Sequence, residues 1–284
     1  PENSLLVTAR CEYGPARDVL RVQIANMAPE AQQIVIDAPA LPEGVTLEAF
    51  ARAHRLAPGA VLDLPLTIHG LETLTWWHTM PLTVTAGPTR IARTVFIAPT
   101  LVNGSFARDT NADNHPDGWG MLGQGLRNRF LLTNQISDIQ GITGERVPHP
   151  MESGAQALLL AEPMRQWEWI STEKTARGWP VLKETTPQAR TAETPVFLRA
   201  NAAYTLRFGA LGRGGRITAG IGTYCTKTLT VASGERTAMQ VEFTTPPELP
   251  TALSSLCITN AGAGKVWIDH VELTYVPITE TPKP

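Results

Sequence analysis

The sequence predicts an all-β protein built as two β-sandwiches in series. Three observations carry the prediction. Short runs of alternating apolar and polar residues recur along the chain, Gly- and Pro-containing turns separate them, and no long stretch holds a helical period. At 284 residues, two domains is the default expectation.

The first domain is expected over residues 1–98. Strand-like runs are Leu5–Ala9, Val19–Ala25, Gln33–Asp37, Val61–Ile68 and Met80–Ala86. Leu20, Val22 and Ile24 should face one way, with Arg21 and Gln23 facing the other. Leu41-Pro-Glu-Gly44 and Leu56-Ala-Pro-Gly59 are turn signals. Trp76-Trp77 reads as adjacent strand residues pointing to opposite faces, so at most one belongs to the core.

The second domain is expected over residues 99–278. Its clearest strands are Ala155–Leu160, Gln166–Ile170, Ala203–Ala210, Arg216–Ile221, Ala238–Phe243 and Val266–Thr274. Gly212-Arg-Gly-Gly215 and Ala261-Gly-Ala-Gly264 read as turns. A strand-rich unit of this size suggests a jelly roll.

The second domain opens with Leu101–Trp119, which spaces oxygen-bearing side chains at Asp109, Asn111, Asp113 and Asp117. The backbone carbonyl of His115 fills the gap. Such a loop suits calcium, which takes roughly 6–8 oxygen ligands. A solvated turn with Asx caps is the competing reading. The loop lacks the sixth-position Gly and terminal Glu of an EF-hand.

Two resemblances follow from quoted motifs. A strand ending in Asn26, Leu-Pro-Glu-Gly-Val at 41–45 and Leu-Ala-Pro-Gly at 56–59 resemble the immunoglobulin-like accessory domains of secreted carbohydrate-active enzymes. These are turn motifs of modest specificity. Further on, Leu-Val-Asn-Gly-Ser-Phe (101–106), Pro-Asp-Gly-Trp (116–119), Glu-Ser-Gly-Ala-Gln-Ala-Leu (152–158), Ala-Tyr-Thr-Leu-Arg-Phe (203–208) and Val-Trp-Ile-Asp-His-Val-Glu-Leu (266–273) stand in order. That pattern resembles jelly-roll carbohydrate-binding modules of the family 4, 9 and 22 type. The resemblance implies a structural calcium with Asp269 as a ligand. Ala107 stands where an acidic residue often follows the opening motif, so Asp109, Asn111, Asp113 and Asp117 are the expected replacements.

Sugar rings lie on flat aromatic faces while polar side chains take their hydroxyls. Trp167, Trp169, Trp179, Tyr224 and Arg207 are the candidates. Trp179, between Gly178 and Pro180, reads as a loop residue. Trp167 and Trp169 share a strand face and read equally well as core. Tyr204, Trp119 and Trp267 read as core.

Composition excludes more than it selects. Hydrophobic residues are 43% and charged residues 18%, an ordinary globular balance, and the formal net charge is −2. Neither nucleic acid nor an anionic membrane finds a basic surface here, and no apolar run reaches the ~18 residues of a membrane span. Cys11, Cys225 and Cys257 have no metal spacing. They read as small buried hydrophobes, although Cys225 and Cys257 could pair. No nucleophile-elbow, HExxH or Walker pattern occurs. His149, Tyr204 and Arg207 are a conceivable lyase set that nothing selects.

The start at Pro1 without Met, and the Thr279–Pro284 linker remnant, suggest a piece of a longer protein. The expected whole is a non-catalytic, extracellular fragment. It would bind a polysaccharide or oligosaccharide for a catalytic domain in the same parent chain. An adhesion module without a sugar site, and a jelly-roll lyase or hydrolase, are the alternatives.

Overall fold

The computed structural model describes residues 4–14, 17–37, 39–112, 114–120, 144–161, 167–178, 180–184 and 190–278, with backbone alone over 167–173, 180–184 and at 190. Its buried apolar residues form two separate clusters, one from Leu5 to Ile97 and one from Phe106 to Leu273. Each is the filling of a two-sheet sandwich.

The first domain contains β1 (Leu5–Tyr13), β2 (Asp18–Asn26), β3 (Gln32–Ile36), β4 (Thr46–Leu47), β5 (Ala53–Leu56), β6 (Val61–His69), β7 (His78–Ala86) and β8 (Thr89–Ile97). One sheet has the order β1-β2-β6-β4 and the other β5-β3-β7-β8. The alternation seen in sequence sets the faces. Leu20, Val22 and Ile24 are fully buried, while Arg21 and Gln23 lie outside. Asn26 closes the turn side of this core. Its amide donates to the carbonyls of Glu30, Leu56 and Ala57.

The second domain contains β9 (Glu145–Pro148), β10 (Gln156–Leu160), β11 (Trp167–Lys174), β12 (Pro180–Glu184), β13 (Arg190–Phe197), β14 (Ala202–Gly212), β15 (Arg216–Ile221), β16 (Cys225–Thr230), β17 (Thr237–Thr244), β18 (Leu253–Asn260) and β19 (Val266–Pro277). Two antiparallel sheets, β17-β14-β19-β10-β9 and β13-β18-β15-β16, make the jelly-roll sandwich, with β11-β12 as a separate hairpin. The C-terminal strand β19 therefore sits in the middle of its sheet. Tyr204 on β14 stacks on Phe243 of β17 at 4.9 Å inside the core. Burying a Leu, Ile or Phe side chain contributes about 1.5–3 kcal/mol each, so these two clusters dominate stability.

The domains are joined tightly. Arg199 is completely buried, and its guanidinium grips Asp18 of the first domain through Nε (3.0 Å) and Nη2 (2.7 Å). Nη1 donates to Thr100 Oγ1 and to the Phe197 carbonyl. The cation lies 4.3 Å over the Tyr275 ring and 5.6 Å from that of Tyr13. Burial pulls the guanidinium's pKa down, and the Asp18 bonds more than offset it, leaving it raised. The Tyr13 hydroxyl accepts from the Ala98 amide, and Asn103 N–H bonds the Thr75 carbonyl.

Trp76 and Trp77 differ from expectation. They lie in a bend before β7, off the strand, so they do not alternate faces. Their rings pack on each other at 3.8 Å. Trp76 is buried beneath Arg108, whose guanidinium carbon is 4.6 Å from its ring.

Removing one partner of a buried ion pair strands the other charge, typically a loss of 3–5 kcal/mol. Arg199→Met should therefore lower the unfolding free energy in urea by about 3–5 kcal/mol. The double variant with Asp18→Leu should recover part of it. A loss below about 1 kcal/mol in the single variant would remove the lock from the account.

Candidate functional site

Three places gather chemistry-bearing side chains. The first centres on Asp269. A bulge shifts the β14–β19 register between Arg207 and Gly209, and the extra residue on β19, His270, has φ 46°. This turns Asp269 into a pocket over Gly209, where a Cβ would collide with the Asp269 carboxylate and the Arg236 guanidinium. Arg236 donates to both Asp269 oxygens, through Nε (2.8 Å) and Nη2. His149 Nε2 lies 2.8 Å from Oδ2, and His270 Nδ1 3.2 Å from Oδ1. Burial pushes the Asp269 carboxyl up, but the Arg236 and His149 bonds outweigh it and bring its pKa down to about 2.

An Asp–His pair suggests base catalysis, and its surroundings argue otherwise. His149 Nδ1 accepts from the amides of Met151 (3.2 Å) and Glu152 (2.9 Å). Those partners assign the proton to Nε2, where it points at Asp269. Neither nitrogen is left to take a substrate proton. Tyr204 is buried, with its hydroxyl accepting from the Arg199 amide at 2.6 Å, and Arg207 is on the opposite, outward face of β14. The conceivable lyase set therefore does not assemble.

The second place is the 103–117 loop. Asn103 (φ 47°) cinches it, donating from Nδ2 to the carbonyls of Arg108 and Asp117 while its Oδ1 accepts from Arg108 N–H. Asp117 is buried and accepts from Arg108 Nε and Thr110 N–H. Asp109 Oδ2 accepts from Asn114 N–H and lies 3.6 Å from Arg146 Nη1. Among the described residues, its Oδ1 is buried with no hydrogen-bond partner. Asn111 is exposed, and His115 bonds the Gly144 carbonyl through Nδ1. Asp113 lies outside the described residues. The Asp109 orphan oxygen suits a cation, yet among the described residues no group of three His, Cys, Asp or Glu could hold a metal ion. The expected joining of Asp269 to this loop is not seen in the described contacts. Asp269 is held by Arg236, His149 and His270, and the loop carboxylates by Arg108 and Arg146.

The third place is the outer face of β13-β18-β15-β16. Ala192, Ile258, Ala219 and Ile217 point into the core, so their neighbours face out. Register aligns Thr191, Thr259, Thr218 and Thr228 into one row across all four strands. Hydroxyl contacts tie it, Thr191 to Thr259 at 3.0 Å and Thr218 to Thr228 at 3.2 Å. The next row is Glu193, Cys257, Gly220 and Thr226. Thr191, Glu193, Thr259, Cys257 and Thr218 are half-buried although they face outward. Composition-based reading missed this row because threonine carries no local signal of a site; only the pairing register reveals it.

The expected aromatic set is dispersed. Trp167 and Trp169 lie on β11 opposite Glu184 and Leu182 of β12. Trp179 lies outside the described residues. Tyr224, at the β15–β16 turn, is half-buried and packs toward core residue Phe243 at 6.4 Å. Arg207 is exposed on the outer face of β14, in the opposite sheet, bonding Gln240 Oε1 at 3.2 Å. It lines a cleft of about 450 Å³ with Arg236, Gln240, His270 and Glu272. Trp119 and Tyr204 are core as expected, but Trp267 is half-buried and faces out between Leu159 and Leu211. All three cysteines are free thiols, so Cys225 and Cys257 do not pair.

No protein-family model matches the chain, and no curated protein matches it. Among solved structures, it is similar to a family 16 carbohydrate-binding module at 17% identity and TM-score 0.38, covering 62% of this chain and 99% of that one. A structure described as CBM4 is similar at 15% identity and TM-score 0.35, with 62% and 99% covered. The tandem CBM22-1–CBM22-2 of Paenibacillus barcinonensis Xyn10C is similar at 8% identity and TM-score 0.33, with 96% and 94% covered.

The Asp269 network should show in acid. A carboxyl with a folded pKa of about 2, against 3.8 ordinarily, adds stability that is present above about pH 4 and is lost as pH falls toward 2. The loss is about 2 kcal/mol. Urea unfolding between about pH 5 and pH 2 should show the wild-type advantage over Asp269→Asn shrinking by that amount. A constant advantage would mean that the carboxylate is not the titrating group.

Proposed function

We propose that the second domain is a non-catalytic carbohydrate-binding module that holds a polysaccharide on the outer face of β13-β18-β15-β16. The threonine row is the observation that carries the reading. Four aligned hydroxyls can donate to and accept from sugar hydroxyls, and their methyl groups leave a low-polarity floor for sugar C–H edges. Glu193 is the one carboxylate in the two rows, which favours a neutral glycan. The ordered motifs from Leu101 to Leu273 point the same way. Trp167, Trp169 and Trp179, on the segment leading into β13, would supply the flat apolar partners.

The first domain would then be an immunoglobulin-like spacer. Its strand order, β1-β2-β6-β4 facing β5-β3-β7-β8, supports that reading. The pair would be extracellular and would tether a catalytic domain of the same parent chain near its polymer, raising the effective concentration there. No helix among the described residues is long and apolar enough to cross a membrane. A calcium ion held by Asp109, Asn111, Asp117 and the His115 carbonyl, with Asp113, would stiffen the loop beneath the first strand of the module. The unpartnered, buried Asp109 Oδ1 supports it.

A glycan array and affinity electrophoresis with the whole chain test the binding. Trp179→Ala, and separately Thr218→Val with Thr259→Val, should each weaken retention on neutral glycan about tenfold or more, with little change in melting temperature. Absence of retention on any glycan would favour an adhesion module. Retention unchanged in both variants would put the site elsewhere.

For the loop, chelation by EDTA should lower the melting temperature by about 5 °C, and added calcium should restore it. Asp109→Asn should remove the response. A wild-type melting temperature indifferent to EDTA would leave the loop as an Asx-capped turn.

A further inference from the structure

A cleft of about 720 Å³ lies between the two domains, away from the threonine row. Glu72 and Thr75 reach it from the first domain. Ser105 comes from the junction, and Glu272, Thr274 and Tyr275 from β19. Clefts at domain interfaces are a usual place for small-molecule sites.

Its walls are held firmly. The Asn103–Thr75 and Val271–Gly104 backbone bonds cross it, and a Cβ on Gly104 would run into the Val271 carbonyl. One wall is the Tyr275 ring, with its back against the Arg199 cation, which Asp18 already neutralises. Preorganisation of this kind lowers the ordering cost of binding.

Charge sets the ligand. Two acidic residues, Glu72 and Glu272, line the cleft, and among the described residues no Lys, Arg or His does. Among the described residues neither carboxylate has a salt bridge: Glu272 pairs across the ladder with Arg207, whose guanidinium bonds Gln240 instead. An apolar ring face, hydroxyls of Thr75, Ser105 and Thr274, and two carboxylates without a salt bridge among the described residues describe the complement of a sugar that carries a cation. We propose that this interdomain cleft is a second binding site, for oligosaccharides bearing a protonated amino group. It is independent of the reading given to the threonine row.

Calorimetric titration of the whole chain with glucosamine oligomers, at about pH 6 where most of the amines are protonated, tests it. The deacetylated oligomer should bind at least about tenfold more tightly than its N-acetylated counterpart. Glu72→Gln and Glu272→Gln should each weaken it severalfold, with unchanged melting temperatures, because both side chains are exposed. A linear polyamine of the same charge should bind at least about tenfold more weakly, since it lacks the ring and hydroxyls. Thr218→Val with Thr259→Val should leave this binding intact, which separates failure here from failure of the threonine-row site. Equal binding of acetylated and deacetylated oligomers would overturn the proposal. So would an unchanged Glu72→Gln, Glu272→Gln double variant, or polyamine binding as tight as the amino sugar's.

Discussion

A single buried cation sets the geometry of the molecule. Arg199 would be intolerable inside a protein without its partners, because an unpaired buried charge costs several kcal/mol. Four of its N–H groups are spoken for by Asp18, Thr100 and Phe197. Two of these bonds, both to Asp18, cross between the sandwiches and restrict how they can sit. A hydrophobic contact of the same area would tolerate sliding; a bidentate fork does not. The lock lies beside the interdomain cleft, which Glu72 and Glu272 line. It also places the Tyr275 ring, which has the guanidinium behind it.

The Asp269 network works on the same principle inside the second domain. A carboxylate is buried, and Arg236 with two histidines compensates it. The bulge at His270 and the missing Cβ at Gly209 make the room. His149 links this network to the β9 end of the sheet through its contacts with Met151 and Glu152. What looks like catalytic equipment is a structural clasp, and its closed hydrogen-bond inventory is the reason.

Much of the fold was legible because half-buried strands write their faces into the sequence. β2 alternates cleanly, β14 and β19 do so away from their bulge, and the turns at Gly44, Gly59 and Gly264 were marked by glycines that hold positive φ. β13, β16 and β18 were not recognised. β13 carries Pro195 on a sheet edge, where proline is tolerated, and Cys225-Thr-Lys-Thr-Leu-Thr230 has little apolar contrast. Those three strands carry three of the row's four threonines, so the site went unseen with them. Trp267 was misassigned for a simpler reason. Its neighbours Val266 and Ile268 own the inward positions, and size alone suggested core. The long-range partners of Asp269 and Arg199 had no local signature at all, since they stand 120 and 181 residues away.

The placement of β19 bears on how the chain is made. This strand ends at Pro277 and lies between β14 and β10, pairing with both. Until it emerges during synthesis, β14 and β10 each present a bare edge of unpaired amides and carbonyls. Such edges invite pairing with other chains. The second sandwich therefore cannot close while it is being translated from its N-terminal end, and closure of the sheet is a late, long-range event of the slow kind. A chain stopped shortly before Val266 would be the aggregation-prone species.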